Sequence, residues 1–164
     1  MKNGNLLIAD DNPNVRDALV LFLQFEFARI EAVSNPNVLI HKLESANWDL
    51  ILLDMNFSPG QSNGNEGIFW LREIRKRFPK VEVVVMTAYA EVELAVRALK
   101  EGAADFVVKP WENNKLLATL KGVIKVSRIR HELAATGGGK GIVREGIITS
   151  TALVSAGKGV MQGI

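Results

Sequence analysis

The stretch DLILLD, residues 49–54, decides the fold, because four consecutive apolar residues lie there between two aspartates. A continuous apolar run of this length is typical of a strand buried on both faces of a parallel sheet. The runs LLIA (6–9) and VEVVVMT (81–87) have the same character. We therefore expect a parallel sheet in which residues 49–54 form the most central strand.

The segments between these runs repeat apolar residues at three- and four-residue spacing, which predicts amphipathic helices. Asn12-Pro13 and Asn35-Pro36 mark two helix starts, since Asn caps a helix and Pro fits its first turn. The predicted strands are 6–9, 28–33, 49–54, 81–87 and 105–110. The predicted helices begin at Asn12, at Asn35, after a Gly/Asn/Ser-rich loop at 58–65, at 90 and at 111, the last running to 133. Strands that alternate with helices predict an α/β, doubly wound parallel sheet covered on both faces.

The composition excludes several classes of protein and site. The chain has no cysteine and only two histidines, which excludes a disulfide scaffold, a thiolate zinc site, a cysteine nucleophile and a multi-histidine metal site. No apolar run reaches the ~18 residues that cross a bilayer. Two aspartates interrupt the N-terminus too early for a signal peptide. We expect a soluble, cytoplasmic protein that does not interact with a membrane.

Charged residues and glycines are distributed unevenly along the chain. Residues 136–164 hold three cations and one carboxylate, so the net charge of +2 arises there and residues 1–135 are balanced. A basic face for nucleic-acid phosphates is therefore not expected. Residues 136–164 also hold eight of the 14 glycines. We interpret 1–133 as one folded domain and 134–164 as a Gly-rich linker or tail, with a small extra strand or a partner-binding arm as the alternative.

Polar residues end four of the five predicted strands. Asp10 and Asp11 follow the first strand, Asp54 ends the third, Thr87 the fourth and Lys109 the fifth. Each residue alone has an ordinary structural role as a helix cap or turn residue, but parallel strands bring all five to one sheet edge, where ligands bind. Clustered carboxylates need compensation, and oxygen ligands suit Mg²⁺. The set fits phosphoryl transfer, with a carboxylate as nucleophile.

Four segments resemble the signature blocks of response-regulator receiver domains of two-component signalling: LLIADD, ILLDMN, VVVMTAYA and DFVVKPW. The resemblance covers about residues 4–130. It implies a flavodoxin-like fold with five parallel strands in the order 2-1-3-4-5. It also implies site roles: Asp54 as phosphoacceptor; Asp10, Asp11, Asp54 and the carbonyl of Asn56 as Mg²⁺ ligands; Thr87, Ala88 and Lys109 as phosphoryl-binding residues; Thr87 and Phe106 as the switch pair.

The loop after Asp54 departs from the pattern of that family. Receivers usually carry a Pro four residues after the phosphoacceptor, and an acidic-Gly pair at seven and eight. Here Pro59 lies at five, and Glu66-Gly67 at twelve and thirteen, so the loop is five residues longer. The segment GNEGIFWLREI resembles receivers of the nitrogen-regulator type, which precede an ATPase module that activates the alternative sigma factor and a DNA-binding module.

These features predict a phospho-switchable receiver that is not an enzyme beyond its own phosphorylation and dephosphorylation. Its expected partner is a sensor histidine kinase, and its expected role is transcription regulation through other modules, without nucleic-acid binding by this chain. One alternative is a stand-alone receiver that acts through protein–protein contacts, and a receiver-like scaffold without phosphotransfer is another. A haloacid-dehalogenase-type phosphatase is disfavoured, because it needs a second Asp where Asn56 stands.

The expected output face consists of the fourth helix, the fifth strand and the last helix. The fourth helix has more apolar positions than one buried stripe requires, and apolar spacing continues along the last helix to Ile129. Core packing explains part of this pattern, and the remaining positions favour a homodimer through this face.

Overall fold

Five strands and five helices alternate along the residues that the computed structural model describes, which are 2–56 and 65–136. The first half consists of β1 (Asn5–Ala9), α1 (Pro13–Leu23), β2 (Arg29–Val33), α2 (Pro36–Ser45) and β3 (Leu50–Asp54). The second half consists of α3 (Asn65–Arg77), β4 (Glu82–Ala88), α4 (Val92–Lys100), β5 (Asp105–Lys109) and α5 (Asn113–Thr136). The predicted alternation of strands and helices is confirmed.

The strands form one parallel sheet in the order β2-β1-β3-β4-β5. β3 lies at its centre and every one of its residues is buried, as the apolar run predicts. This is the flavodoxin-like, doubly wound architecture expected from the sequence, and it brings the carboxyl ends of all five strands to one edge.

Two apolar layers cover the sheet, because successive strand residues point to opposite faces. The residues of β1 and β3 at even positions pack against α1 and α5, whereas those at odd positions pack against α2, α3 and α4. This alternation of side chains between the two faces continues past the strand ends. It therefore determines on which face of the sheet each polar side chain at the carboxyl edge lies.

The helix starts at α1 and α2 agree with their sequence signals. Asn12 Oδ1 accepts a hydrogen bond from the N–H of Asn14 at 2.8 Å, and Asn35 Oδ1 accepts one from the N–H of Val38 at 3.1 Å. In both helices Pro occupies the first turn, where no intrahelical donor is required.

The two later helices differ from their predicted limits. A 3₁₀ turn, Tyr89–Glu91, precedes α4, so that helix starts at 92 rather than at 90. α5 starts at 113 rather than at 111, because its first helical hydrogen bond is accepted by the carbonyl of Glu112, and it continues to 136 rather than 133. β5 ends at Lys109, one residue before the expected end.

The predicted long loop and tail lie mostly outside the described residues. Of the loop expected at 58–65, only residue 65 is described, and it already belongs to α3. The expected linker or tail at 134–164 is described only to 136, where α5 ends. Within the described ranges, no helix is both long and apolar enough to cross a membrane.

Candidate functional site

The predicted site residues meet at the carboxyl edge of the sheet. Asp10 follows β1, Asp54 ends β3 and Lys109 ends β5. The even residues of β1 and β3 face the α1/α5 layer, and so does Val107 of β5. Asp10, Asp54 and Lys109 continue these rows, so their side chains meet on one side of the edge.

Three carboxylates form the acidic part of the site. One carboxylate oxygen from each of Asp10, Asp11 and Asp54 lies within 4.8 Å of the others, a spacing that fits one metal ion. Asp10 is fully buried and Asp54 is 4% exposed, whereas Asp11 is partly exposed. The group therefore offers oxygen ligands from one side and has access to solvent on the other, as a hydrated Mg²⁺ requires.

The pKa values of these acids reflect burial and mutual repulsion. Burial, and next the charge of Asp10, raise the pKa of Asp54 to about 6, against the attraction of Lys109 and a hydrogen bond from the backbone of Asn56. Burial and the charge of Asp10 also raise the pKa of Asp11. The cluster holds more negative charge than its own cation balances, so it favours a further cation.

Lys109 connects the two most buried carboxylates. Its Nζ donates a hydrogen bond to Asp10 Oδ2 at 2.8 Å and to Asp54 Oδ1 at 3.2 Å. Burial opposes the charge of this ammonium, but the hydrogen bond to Asp10 and the charges of both acids prevail and raise its pKa. Lys109 is therefore a fixed positive charge beside the Asp54 oxygens, where charge would develop in phosphoryl transfer.

Two further contacts fix Asp10, and neither was predicted from the sequence. The backbone N–H of Asn12 donates to Asp10 Oδ1 at 2.9 Å, and Arg16 Nη1 donates to the Asp10 carbonyl at 2.8 Å. Asn12 also caps α1, so the residue that starts the helix also orients the acid. The position of Arg16, one turn into α1, was the available signal for the second contact.

Thr87 and Phe106 lie on the opposite face of the sheet from Lys109. Thr87 is two residues beyond Val85, and Val85 is the β-partner of Phe106, so both side chains point toward the α4 layer. Thr87 is 2% exposed, and its Oγ1 is buried without a hydrogen-bond partner among the described residues. Phe106 is partly buried against the α2/α3/α4 core. A buried hydroxyl without a partner is costly, so this oxygen is available to a ligand.

A cleft of about 240 Å³ opens between these residues. Its walls include all the predicted site residues except Phe106, together with Asn12, Met55, Met86 and Glu91. Glu91, which lies in the 3₁₀ turn after β4, was not predicted as a site residue. Its acidic character and its position four residues after Thr87 were the only signals for it in the sequence.

The start of α3 packs directly against the loop that follows Asp54. A Cβ on Gly67 would lie 2.6 Å from the carbonyl oxygen of Met55 and 2.8 Å from its Cα, closer than any side chain tolerates. Glycine at this position lets α3 approach the backbone between Asp54 and Asn56. The Glu66-Gly67 pair thus lies beside the acidic site in space despite its unusual distance in sequence.

Comparisons with known proteins match the chain to a described family. The family model described as "Response regulator receiver domain" matches residues 6–121. The chain is 30% identical over 130 residues to the regulatory protein AtoC of Escherichia coli K12, covering 79% of this chain and 27% of that protein. It is 31% identical over 125 residues to the transcriptional regulatory protein ZraR of Klebsiella oxytoca, covering 76% of this chain and 27% of that protein.

A solved structure gives the same result at higher identity. The N-terminal signal receiver domain of a two-component system response regulator from Bacteroides fragilis is 46% identical, with a TM-score of 0.68, covering 74% of this chain and 96% of that one. The chain thus spans nearly a whole solved receiver domain but only 27% of the length of AtoC and ZraR.

Proposed function

The chain belongs to the response regulator receiver domain family of two-component systems, and on that premise we propose that Asp54 is its phosphoacceptor. The observation that carries the proposal is the contact of Lys109 Nζ with both Asp10 and Asp54, 2.8 and 3.2 Å away, at the open carboxyl edge of the sheet. This arrangement leaves a carboxylate at the cleft wall beside a fixed cation, as a nucleophile toward phosphorus requires.

The reaction transfers a phosphoryl group from a phosphohistidine of a sensor histidine kinase. An Asp54 carboxylate oxygen attacks the phosphorus, a P–O bond forms, and the P–N bond to the imidazole breaks. The imidazole leaves with the electron pair of that bond and takes up a proton. Lys109, next to Asp54, stabilises the negative charge on the phosphoryl oxygens in the transition state. We propose that the domain is a switch of this kind and not an enzyme that acts on other substrates.

Mg²⁺ is the cofactor that the donor set fits. Asp10, Asp11, Asp54 and the carbonyl of Asn56 would hold it, because three carboxylate oxygens within 4.8 Å suit a hard cation that retains water. When bound, the ion supplies positive charge that offsets repulsion between the acids and the incoming phosphoryl group. The raised pKa of Asp54, about 6, supports this proposal, because burial and the charge of Asp10 disfavour its ionised form.

Thr87 and the backbone N–H of Ala88 are proposed to bind the new phosphoryl oxygens. The unpartnered Thr87 Oγ1 gains a charge-assisted hydrogen bond when it turns toward that anion. This movement vacates space on the α4 side of the sheet, and Phe106 is the large neighbouring side chain that can fill it. Because Phe106 has no hydroxyl, packing alone drives its inward rotamer.

The proposed output face comprises α4, β5 and α5. The buried residues Leu94, Ala95 and Ala98 account for the core side of α4, and Leu116, Leu120, Val123 and Ile124 account for that of α5. Val92 and Val96 remain 44% and 45% exposed, and Ile129 is 37% exposed. Core packing thus explains most of the apolar pattern, and the exposed valines support a homodimer through this face.

The role of the whole protein follows from its longer relatives as a further proposal. AtoC and ZraR bear the names of a regulatory and a transcriptional regulatory protein. We propose that this receiver regulates transcription in the cytoplasm through an ATPase module and a DNA-binding module, and does not itself contact nucleic acid.

Intact-mass spectrometry tests the phosphoacceptor assignment. The protein is mixed with a small phosphodonor with and without Mg²⁺, alongside Asp54→Asn and the control Asp17→Asn, which removes an exposed carboxylate from α1. One phosphoryl group is expected on the parent chain and on Asp17→Asn, only with Mg²⁺, and none on Asp54→Asn. Equal labelling of Asp54→Asn would refute the assignment.

A further inference from the structure

Glu91 is an acidic residue of the phosphoryl cleft that the proposed chemistry does not use. It lies in the 3₁₀ turn Tyr89–Glu91, is half-buried, and lines the same cleft as the strand-end acids. It is also the N-cap residue of α4, yet its side chain makes no capping hydrogen bond. Within the described ranges its side chain has no hydrogen-bond or ion-pair partner. Its charge is therefore not offset by direct contact with any described residue.

The formal charge of the cleft depends on this residue. Among the described residues, the charged side chains that line the cleft are those of Asp10, Asp11, Asp54, Glu91 and Lys109, four carboxylates against one ammonium. One divalent cation reduces this excess to a single negative charge. That net charge equals the charge that Glu91 contributes. Without Glu91, the same loaded cleft is neutral. A phosphodonor therefore meets a repulsive cleft in this protein and a neutral one in a variant that lacks this carboxylate.

Building on the proposed phosphotransfer to Asp54, we infer that Glu91 is a specificity-determining residue that slows phosphorylation by small, doubly charged anionic phosphodonors. Free donors of this kind carry their full charge into the cleft. A phosphohistidine is presented by a protein surface, whose other contacts supply binding energy that offsets the repulsion. Glu91 thus favours a protein phosphodonor over free metabolite-sized ones.

The Glu91 carboxylate affects cation binding and phosphodonor binding in opposite directions. A negative charge at the cleft wall attracts Mg²⁺ and repels the phosphodonor. Removal of the charge should therefore weaken cation binding and speed anion capture. A variant that merely distorts the cleft would impair both processes, so opposite changes identify an electrostatic effect.

The test compares Glu91→Gln with Glu93→Gln in the full chain. Glu93 lies two residues further on, in the first turn of α4, is exposed and does not line the cleft, so its variant makes the same change in net charge. Glu91→Lys extends the series. Initial rates of Asp54 phosphorylation are measured by mass spectrometry with acetyl phosphate, a dianion, and with phosphoramidate, which carries one negative charge less. Mg²⁺ affinity is measured separately by NMR titration of backbone amides.

Glu91→Gln should react about three- to tenfold faster with acetyl phosphate, with a smaller gain for phosphoramidate, and should bind Mg²⁺ about two- to fivefold more weakly. Glu91→Lys should show a larger rate increase with acetyl phosphate and a larger loss of Mg²⁺ affinity than Glu91→Gln. Glu93→Gln should match the parent chain in both. Rates in Glu91→Gln equal to those in Glu93→Gln would overturn the inference, as would a parallel loss of donor reactivity and Mg²⁺ affinity. If the parent chain accepts no phosphoryl group from either donor, the proposed function itself fails, which is a distinct result.

Discussion

Substitution of Asp54 by Asn should stabilise the metal-free protein at neutral pH. Asp54 is 4% exposed, and burial together with the charge of Asp10 raises its pKa from 3.8 to about 6. An acid with a raised pKa binds more protons in the folded state, so folding stability declines as the pH rises from about 4 to about 6 and then levels off. Asn has nearly the same shape and no charge, so it avoids this loss.

The size of the effect follows from the pKa. A pKa increase from 3.8 to about 6 corresponds to roughly 3 kcal/mol at pH values well above 6, since a tenfold change in an equilibrium constant is about 1.4 kcal/mol. The value of about 6 already includes the 3.2 Å contact with Lys109, which lowers the pKa of Asp54. We expect Asp54→Asn to raise the free energy of unfolding by about 1–3 kcal/mol at about pH 7.5.

Urea unfolding followed by circular dichroism measures this difference. The gain should shrink to nearly zero at about pH 4, where Asp54 is protonated in the parent chain as well. It should also diminish in saturating Mg²⁺, because a cation that binds the native acids stabilises the parent chain. Asp17→Asn, at an exposed site of α1, serves as the control and should show no such pH dependence. An Asp54→Asn variant without any gain at neutral pH, or with the same gain at both pH values, would refute the reasoning.

Other substitutions test the packing and the ion pairs around the sheet. Gly67→Ala should destabilise the fold by about 1–3 kcal/mol and weaken Mg²⁺ binding, because its Cβ collides with the backbone beside the site. In contrast, Gly122→Ala, in open space on α5, should stabilise by about 0.5–1 kcal/mol. Thermal melts and Mg²⁺ titration of both variants check this contrast. Arg130→Met should cost about 2–4 kcal/mol in urea unfolding, because it leaves the buried Glu82 carboxylate without its ion pair. Arg72→Met, which breaks an ion pair on the surface, should leave the stability nearly unchanged, and equal losses in the two Arg variants would contradict this account.

The fold and the strand-end chemistry could be predicted because both depend on short-range periodicity. The apolar run of β3 indicates a central strand, and the strand ends identify residues that a parallel sheet must bring together. Burial of β3 confirms the first prediction, and the contacts of Lys109 with Asp10 and Asp54 agree with the second. The functional roles of these residues stay predictions.

The contributions of Arg16 and Glu91 could not be predicted, since they depend on where a long side chain ends in space. Arg16 reaches the Asp10 carbonyl only because of the way α1 packs on the sheet. Glu91 lines the cleft because a 3₁₀ turn precedes α4, whereas the sequence pattern predicted a helix from residue 90. The proximity of Gly67 to Met55 could not be predicted from the sequence either, because eleven residues separate the two in the chain although their backbones are in contact.

Chemical trapping of the acyl phosphate tests the central claim most directly, namely that Asp54 accepts a phosphoryl group in a Mg²⁺-dependent reaction. After incubation with a phosphodonor, borohydride reduces an aspartyl phosphate to homoserine, which peptide mass spectrometry locates to a single residue. We expect homoserine at position 54 when Mg²⁺ is present, and unmodified aspartate there when Mg²⁺ is chelated. Homoserine at Asp10 or Asp11 instead, or the same yield at Asp54 without Mg²⁺, would contradict it.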